Sequence, residues 1–233
     1  MNAVISGGTK GIGKAIIDLL SSKGVNIAVC SRNEADLATL KSELLAKNSE
    51  LNILTSVTDM SIKEEVLAFG ELINKEWEAV DILVNNAGLF IPGELAKEED
   101  GALEQMINTN LYSAYHLTRT LLPKFLSQRS GTIFNMCSIA SKIAYPNGGS
   151  YSISKFALLG FSKVLREELK DQGIRVTSIL PGATWSNSWA GVDLPQERLM
   201  EAEDIAKVLW NTIQLGPSAV VEEIILRPQL GDL

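Results

Sequence analysis

The sequence is poor in the residues that bind transition metals. Its 233 residues include one histidine, His116, and two cysteines, Cys30 and Cys137. Zinc sites are built from clusters of imidazole and thiolate ligands, and disulfide-stabilised folds need several paired cysteines, so this composition argues against both. We therefore expect no metal site, and a reducing, cytoplasmic location is the default for such a chain.

Basic charge and long apolar runs are also scarce. Lys and Arg number 21 against 28 Asp and Glu, which gives a formal net charge of −7. Binding to nucleic acid or to an anionic membrane surface uses basic side chains, so neither kind of partner is expected. No run approaches the roughly 18 apolar residues of a membrane span. The first residues, MNAVISGGTK, lack the basic and apolar segments of a secretory signal, so none is expected.

Short apolar segments alternate with amphipathic ones along the chain. Strands of a parallel sheet that is covered on both faces are nearly continuous apolar runs, and the connections between them are right-handed helical crossovers. The pattern predicts an α/β fold, a Rossmann-type doubly wound parallel sheet in a three-layer αβα sandwich, with residues 1–233 as a single domain. The predicted strands are 3–6, 26–30, 53–57, 81–84, 132–136, 175–180 and 221–226, and the predicted helices are 12–23, 34–47, 61–77, 102–128, 151–171 and 203–215.

A glycine-rich segment, SGGTKGIG, joins the first predicted strand to the first predicted helix. Glycine permits positive φ and close approach of a pyrophosphate, and the helix N-terminus offers N–H groups to the anion. The position between strand and helix favours a dinucleotide-phosphate site over a turn that is merely tight. The residues expected to contact a cofactor here are Gly7, Thr9, Lys10, Gly11, Ile12 and Gly13.

Tyr151 and Lys155 form a Y-x-x-x-K pattern in a predicted helix. Side chains four residues apart project from one helix face, and a nearby ammonium lowers the pKa of a phenol from its usual value of roughly 10. Such a phenol can give a proton to a carbonyl oxygen, although the pair alone is also common by chance. Ser138 favours the catalytic interpretation, because it follows a predicted strand at the sheet edge where open α/β folds bind ligands.

Together these motifs resemble the short-chain dehydrogenase/reductase family. The glycine segment has the family's G-x-x-x-G-x-G spacing, and Ser138 precedes Tyr151 by the 13 residues that are typical of it. In INTNL, Asn110 directly precedes the apolar Leu111 and matches the family's helix Asn, with Asn108 as the competing choice. The resemblance implies that Asn110 supports a water-mediated proton path to the lysine. The catalytic residues implied are Asn110, Ser138, Tyr151 and Lys155.

The resemblance covers most of the chain and implies further cofactor contacts. Asp59 and Met60, which follow the third predicted strand, resemble the family's residues at the adenine. The NNAG segment resembles the one beside the adenosine ribose, and the PGATWS segment resembles the one that holds the nicotinamide carboxamide. In PGATWS, Thr184 and Ser186 replace the family's usual Val or Ile and Thr. The contacts implied are Asp59, Met60, Asn86, Ala87, Gly88, Tyr151, Lys155, Pro181, Gly182, Thr184 and Ser186.

The second predicted strand bears on the choice of dinucleotide. NAD-selecting sheets usually end this strand in Asp or Glu, which binds the ribose diol, whereas here the position is the neutral Ser31. Arg32 follows it and Lys10 lies in the glycine segment, and two cations suit a 2′-phosphate better than they suit the alternative, in which both are ordinary solvated surface residues. NADP(H) is the predicted cofactor, with Arg32 among its contacts. In family members with this pattern, the reduced NADP pool favours carbonyl reduction.

The function implied by the resemblance is NADPH-dependent reduction of a ketone or aldehyde to an alcohol, with Tyr151 as proton donor. The alternative is reduction of 3-oxoacyl groups on acyl carrier protein, but the ending VVEEIILRPQLGDL looks closer to carbonyl or sepiapterin-type reductases. A catalytically silent NADP(H)-binding regulator is a more remote alternative.

The resemblance also implies a substrate lid and an oligomeric state. Residues 184–200 resemble the family's substrate lid, and Trp185, Trp189 and Leu194 within it predict an apolar cavity or, equally, packing contacts. Family members are commonly tetramers, in which the long helix and the Tyr-bearing helix pack against their copies, so a homo-oligomer, tetramer or dimer, is expected.

Overall fold

The computed structural model describes residues 1–185, 195 and 198–231. Seven parallel strands form one sheet in the order β3-β2-β1-β4-β5-β6-β7. The chain starts in the middle of the sheet, proceeds to the β3 edge and returns to add β4, so the order reverses between β1 and β4. The strands are β1 (Asn2–Ser6), β2 (Asn26–Ser31), β3 (Ile53–Val57), β4 (Ile82–Asn85), β5 (Gly131–Met136), β6 (Ile174–Pro181) and β7 (Glu223–Leu226).

Helices cover both faces of this sheet, which confirms the predicted three-layer Rossmann-type fold. They are α1 (Gly11–Ser22), α2 (Glu34–Lys47), α3 (Lys63–Glu76), α4 (Ala102–Ile107), α5 (Ser113–Gln128), α6 (Gly149–Leu169) and α7 (Ala202–Ile213). Short 3-10 turns lie at Ile139–Ser141 and Lys170–Gln172. Within the described ranges, no helix is long and apolar enough to cross a bilayer.

The core has one large apolar layer on each side of the sheet. Successive residues of a strand point to opposite faces, so Ile5 of β1 packs with α1, α2 and α7, while the preceding Val4 packs with α3, α5 and α6. Both side chains are fully buried. This two-sided burial explains why the strands are nearly continuous apolar runs in the sequence.

The predicted helix over 102–128 is interrupted by one π-helical turn, Asn108–Tyr112, between α4 and α5. The turn inserts one residue into the helical repeat and brings Asn110 to a buried position that is 1% exposed. Isolated π turns of this kind are frequent at functional sites. The residue that the turn buries is polar, so apolar periodicity alone did not reveal the turn.

Candidate active site

The carboxyl ends of β1 and β4 meet at the point where the strand order reverses. Ser6 Oγ accepts hydrogen bonds from the backbone N–H groups of Asn86 and Ala87, both at 3.0 Å. Asn86 Nδ2 donates in return to the carbonyls of Ser6 (3.0 Å) and Gly7 (2.8 Å). The NNAG segment is therefore bound to the glycine turn, and the Asn86 side chain supports that turn's backbone.

The glycine turn has the geometry of an anion cradle. Gly7 and Gly11 have φ angles of 67° and 53°, which disfavour other residues. A Cβ on Gly13 would lie 2.4 Å from the Gly7 carbonyl oxygen, so this position also requires glycine. In the described chain no side chain caps α1, and no acidic residue lies in its first turn. The N–H groups and positive dipole end of α1 thus remain available, and the turn fits a dinucleotide phosphate.

At the end of β2 the glycine turn contacts the start of α2. Thr9 Oγ1 donates to Ser31 Oγ at 3.1 Å, so the neutral residue at the ribose position is held by the turn itself. Lys10, predicted to face a 2′-phosphate, places its Nζ 2.9 Å from Asp36 Oδ2. Arg32 is exposed on the same edge. Two cations do flank the site, but one of them is bound to a carboxylate.

Asp59 and Met60 follow β3 on this edge. Burial opposes ionisation of Asp59, but hydrogen bonds from Ser61 N (2.9 Å) and Oγ (2.7 Å), with the charge of Arg32, outweigh it and lower the Asp59 pKa. Met60 is buried, with its sulfur 3.5 Å from Cys30 Sγ. Asp59 is thus an ionised acceptor at the position predicted for the adenine site, and Met60 is part of the wall behind it.

Lys155 is a buried cation at the catalytic end of the site. It is 4% exposed, its Nζ donates to the Met136 carbonyl at 2.9 Å, and it lies 5.7 Å from the centre of the Tyr151 ring. Burial lowers the pKa of Lys155 to about 8. A Cβ on Gly88 would lie 3.5 Å from this Nζ. The NNAG segment therefore reaches from the glycine turn to Lys155, the lysine predicted to be catalytic.

Ser138 and Tyr151 face each other across the same end of the site. Ser138 begins the 3-10 turn after β5, where its Oγ accepts from Ala140 N at 3.2 Å. Burial raises the pKa of Tyr151, and a hydrogen bond with Ser138 only partly offsets this. The prediction that Lys155 lowers the Tyr151 pKa below its usual value is wrong for this structure, because burial of the phenol is the largest effect.

Asn110 connects three segments of the site. Its Oδ1 accepts from Leu89 N at 2.6 Å, and its Nδ2 donates to Leu89 O at 2.9 Å and to Ser154 Oγ at 2.8 Å. These bonds join the π turn to the chain after β4 and to α6. Asn108, at the start of the π turn, instead lines a cavity of about 230 Å³ with Met60 and His116. The structure brings Asn110 and not Asn108 into the site, and its role in proton transfer stays a prediction.

The PGATWS segment, which is predicted to hold the nicotinamide carboxamide, is described as far as Trp185. Gly182 N donates to Leu226 O at 2.7 Å, and Thr184 Oγ1 donates to Gly182 O at 3.0 Å, so this segment is braced by β7. The Thr184 hydroxyl therefore already donates a hydrogen bond to the backbone of its own segment. Trp185 is 41% exposed. The predicted contact Ser186 and the lid residues Trp189 and Leu194 lie outside the described residues.

The loop between β4 and α4 lies beside Tyr151, although the sequence did not predict it as part of the site. Phe90 packs edge-on against Tyr151, with ring centres 4.9 Å apart. Farther along, Gly149 N donates to Gly93 O at 3.1 Å, and Ser150 Oγ donates to the Glu98 carboxylate. The loop is therefore bound to the start of α6 beside the phenol. No motif marks these residues, and the KEED run that contains Glu98 is typical of a solvated surface.

Three curated relatives match nearly the whole chain. An uncharacterised oxidoreductase of Staphylococcus saprophyticus is 31% identical over 97% of this chain and 96% of its own length. Sepiapterin reductase of Chlorobaculum tepidum is 32% identical over 99% and 97%. The 3-oxoacyl-[acyl-carrier-protein] reductase FabG of Haemophilus influenzae is 33% identical over 89% and 88%.

Solved structures with the same fold carry nicotinamide cofactors. An alcohol dehydrogenase from the archaeon Thermococcus sibiricus, complexed with 5-hydroxy-NADP, matches with a TM-score of 0.89 and 26% identity over 98% of this chain and 96% of its own. L-sorbose reductase from Gluconobacter frateurii, complexed with NADPH and L-sorbose, gives 0.89 and 25% over 97% and 95%. The family model for short chain dehydrogenase matches residues 1–196. This chain therefore belongs to the short-chain dehydrogenase/reductase family of oxidoreductases.

Proposed function

We propose that this protein is an NADP(H)-dependent reductase that converts a ketone or aldehyde to an alcohol. The observation that carries the proposal is the convergence of Ser138, Tyr151 and Lys155 at the sheet edge that also holds the glycine turn. Relatives crystallised with NADP or NADPH support the choice of dinucleotide, as do the neutral Ser31 and the adjacent Arg32.

Each residue of this site has its own proposed role in carbonyl reduction. When bound, NADPH supplies the hydride that reaches the carbonyl carbon. The Ser138 hydroxyl orients the carbonyl oxygen, and the Tyr151 hydroxyl gives that oxygen its proton. Because burial raises the Tyr151 pKa, the phenol stays protonated at neutral pH, as a proton donor for reduction requires. Lys155, still mainly protonated below pH 8, stabilises the phenolate that the transfer leaves.

Phe90 places an aromatic ring beside the proposed proton donor. Its ring lies edge-on to Tyr151 and is 39% exposed, so a substrate held by Ser138 and Tyr151 would contact it. This favours carbonyl compounds with an apolar or aromatic part next to the reacting carbon. The two polar groups and one aromatic wall form the arrangement expected for a small-molecule site.

Reduction of 3-oxoacyl groups on acyl carrier protein is the second candidate, and the similarity to FabG favours it. A carrier protein is acidic, so it would need a basic docking surface. Arg129 bonds to Gln172 Oε1 (3.2 Å) and Asp171 O (3.0 Å), and Lys170 pairs with Glu167. Both exposed cations therefore already have polar partners within this chain. A small carbonyl compound is for this reason the better-supported substrate.

We also propose that the protein works as a homo-oligomer in the cytoplasm. An apolar face on α6 includes Phe156, 47% exposed, and Val164, 54% exposed, and Tyr112 in the π turn is 49% exposed. A second copy of the same face would remove these side chains from water. Cys30 and Cys137 are buried free thiols, as expected in a reducing compartment. Light scattering would show a dimer or tetramer, and a monomer at micromolar concentration would refute the assembly.

The test of the proposed function is NADPH oxidation against a panel of carbonyl compounds. The panel contains diketones, aromatic aldehydes, a pterin ketone and an acetoacetyl thioester, each assayed with NADPH and with NADH. We expect turnover of a diketone, an aldehyde or the pterin, faster with NADPH. Turnover of the thioester alone would replace this proposal with the acyl-carrier alternative. Tight NADPH binding without oxidation of any member would favour a silent NADP(H)-binding protein.

A further inference from the structure

Asp36 lies at the corner where the phosphate that distinguishes NADP from NAD is expected. Its Oδ2 is 2.9 Å from Lys10 Nζ, which links the first turn of α2 to the glycine turn. The backbone N–H of Asp36 donates to Asn33 Oδ1 at 3.0 Å in the cap of α2. The carboxylate is thus presented by a capped helix turn, and an acidic side chain is stabilised there by the helix dipole.

The charges of this corner nearly cancel. Lys10 and Arg32 supply two positive charges, while Asp36 pairs with the first and the ionised Asp59 interacts with the second. Ser31 and Thr9 in the same corner are neutral and are hydrogen-bonded to each other. A 2′-phosphate carries close to two negative charges and is best held by cations that have no other counter-ion. Asp36 removes part of the attraction that the sequence alone predicts.

We propose that Asp36 is a specificity-determining residue that weakens the preference for NADP(H) by competing with the 2′-phosphate for Lys10. This inference rests on the proposed use of NADP(H). To bind the phosphate, the lysine must leave the carboxylate or share its charge with it, and the carboxylate also repels the phosphate. The Lys10 side chain is 57% exposed and that of Asp36 30%, so solvent screens the effect and keeps it moderate.

The test is a double-mutant cycle read by calorimetric binding of NADPH and NADH. In D36N the affinity for NADPH should rise about three- to tenfold, while the affinity for NADH changes less than about twofold, because NADH lacks the phosphate. In K10A the NADPH affinity should fall, and adding D36N to K10A should then raise it by less than D36N does alone, because only the direct repulsion between carboxylate and phosphate remains to be removed. The gain in D36N should shrink when salt is raised.

Glu34→Gln is the matched control, since it removes the same charge from the same helical turn, whereas the ion pair with Lys10 is made by Asp36. It should leave the ratio of NADPH to NADH affinity within about twofold of wild type. An unchanged or lower NADPH affinity in D36N, an equal rise for NADH, or an equal gain in E34Q would overturn the inference. Wild-type protein that binds NADPH no better than NADH would overturn the proposed cofactor instead.

Discussion

The two halves of the site are built in different ways. The glycine turn is held by backbone geometry, with positive φ at Gly7 and Gly11, and its charged side chains are exposed. The catalytic end is held by buried side chains, among them Asn110 and Lys155, 1% and 4% exposed. We therefore expect steric fit to control dinucleotide binding, whereas burial and hydrogen bonding set the protonation states on which the proposed chemistry depends. Changes in the first half should affect binding, and changes in the second should affect turnover or stability.

Gly13→Ala should produce the largest effect on the binding half. Its Cβ would lie 2.4 Å from the Gly7 carbonyl oxygen and 2.6 Å from Asn86 Nδ2, so the turn must shift. We expect NADPH affinity to fall about 100-fold or more, measured by calorimetry. Gly160→Ala is the control, because nothing lies within 4 Å of a Cβ at that helical position. Equal affinity in both variants would contradict steric control of the turn.

Ser138→Ala should reduce turnover without reducing cofactor binding. Removing the hydroxyl leaves the carbonyl oxygen without its orienting group, so kcat/KM for carbonyl reduction should fall about 10²–10³-fold. NADPH affinity should stay within about twofold, because the change is outside the glycine turn. Ser22→Ala, at the exposed end of α1, should change neither quantity. A parallel loss of NADPH affinity in S138A would show that the two halves are not separable.

Asn110→Ala should reduce stability more than Asn108→Ala. It removes three hydrogen bonds and leaves the Leu89 peptide groups and Ser154 without this partner. The expected loss is about 2–3 kcal/mol in the free energy of unfolding, measured in urea, against less than about 1 kcal/mol for the partly exposed Asn108. Similar losses in the two variants would mean that the π turn does not depend on Asn110.

The pH dependence of reduction should follow Lys155. Its pKa of about 8 means that the ammonium is present below pH 8 and is lost as the pH rises through that value. Tyr151, whose pKa burial raises, keeps its proton over the same range. We therefore expect kcat/KM for reduction to be level below about pH 7 and to fall up to tenfold per unit above pH 8. A profile that stays level to pH 10 would contradict a role for this ammonium.

The sequence predicted all seven strands of the sheet, and the central ones, which are buried on both faces, leave nearly continuous apolar runs. It did not predict the π turn, because the residue that this turn buries, Asn110, is polar and leaves no apolar signal in the sequence. It placed the start of α6 two residues late, at Tyr151 instead of Gly149. Helix ends depend on caps and neighbouring loops, here the Gly93 contact, which periodicity does not encode.

The site was predictable where a local motif carries the chemistry, as at Tyr151 and Lys155. It was not predictable where a partner is distant in sequence. Asp36 looks like an ordinary first-turn acid of α2 until the fold places it on Lys10. The Tyr151 pKa was predicted in the wrong direction, because spacing shows the neighbouring charge but not the degree of burial.

The Tyr151 hydroxyl is the group proposed to give the proton in carbonyl reduction. The direct test compares Tyr151→Phe with wild type in single-turnover NADPH oxidation, using the best carbonyl compound of the panel. Phe keeps the ring that packs against Phe90 and removes only the proton donor. We expect a rate loss of about 10³-fold or more, with NADPH affinity within about twofold of wild type. A variant that keeps more than a tenth of the wild-type rate would contradict it.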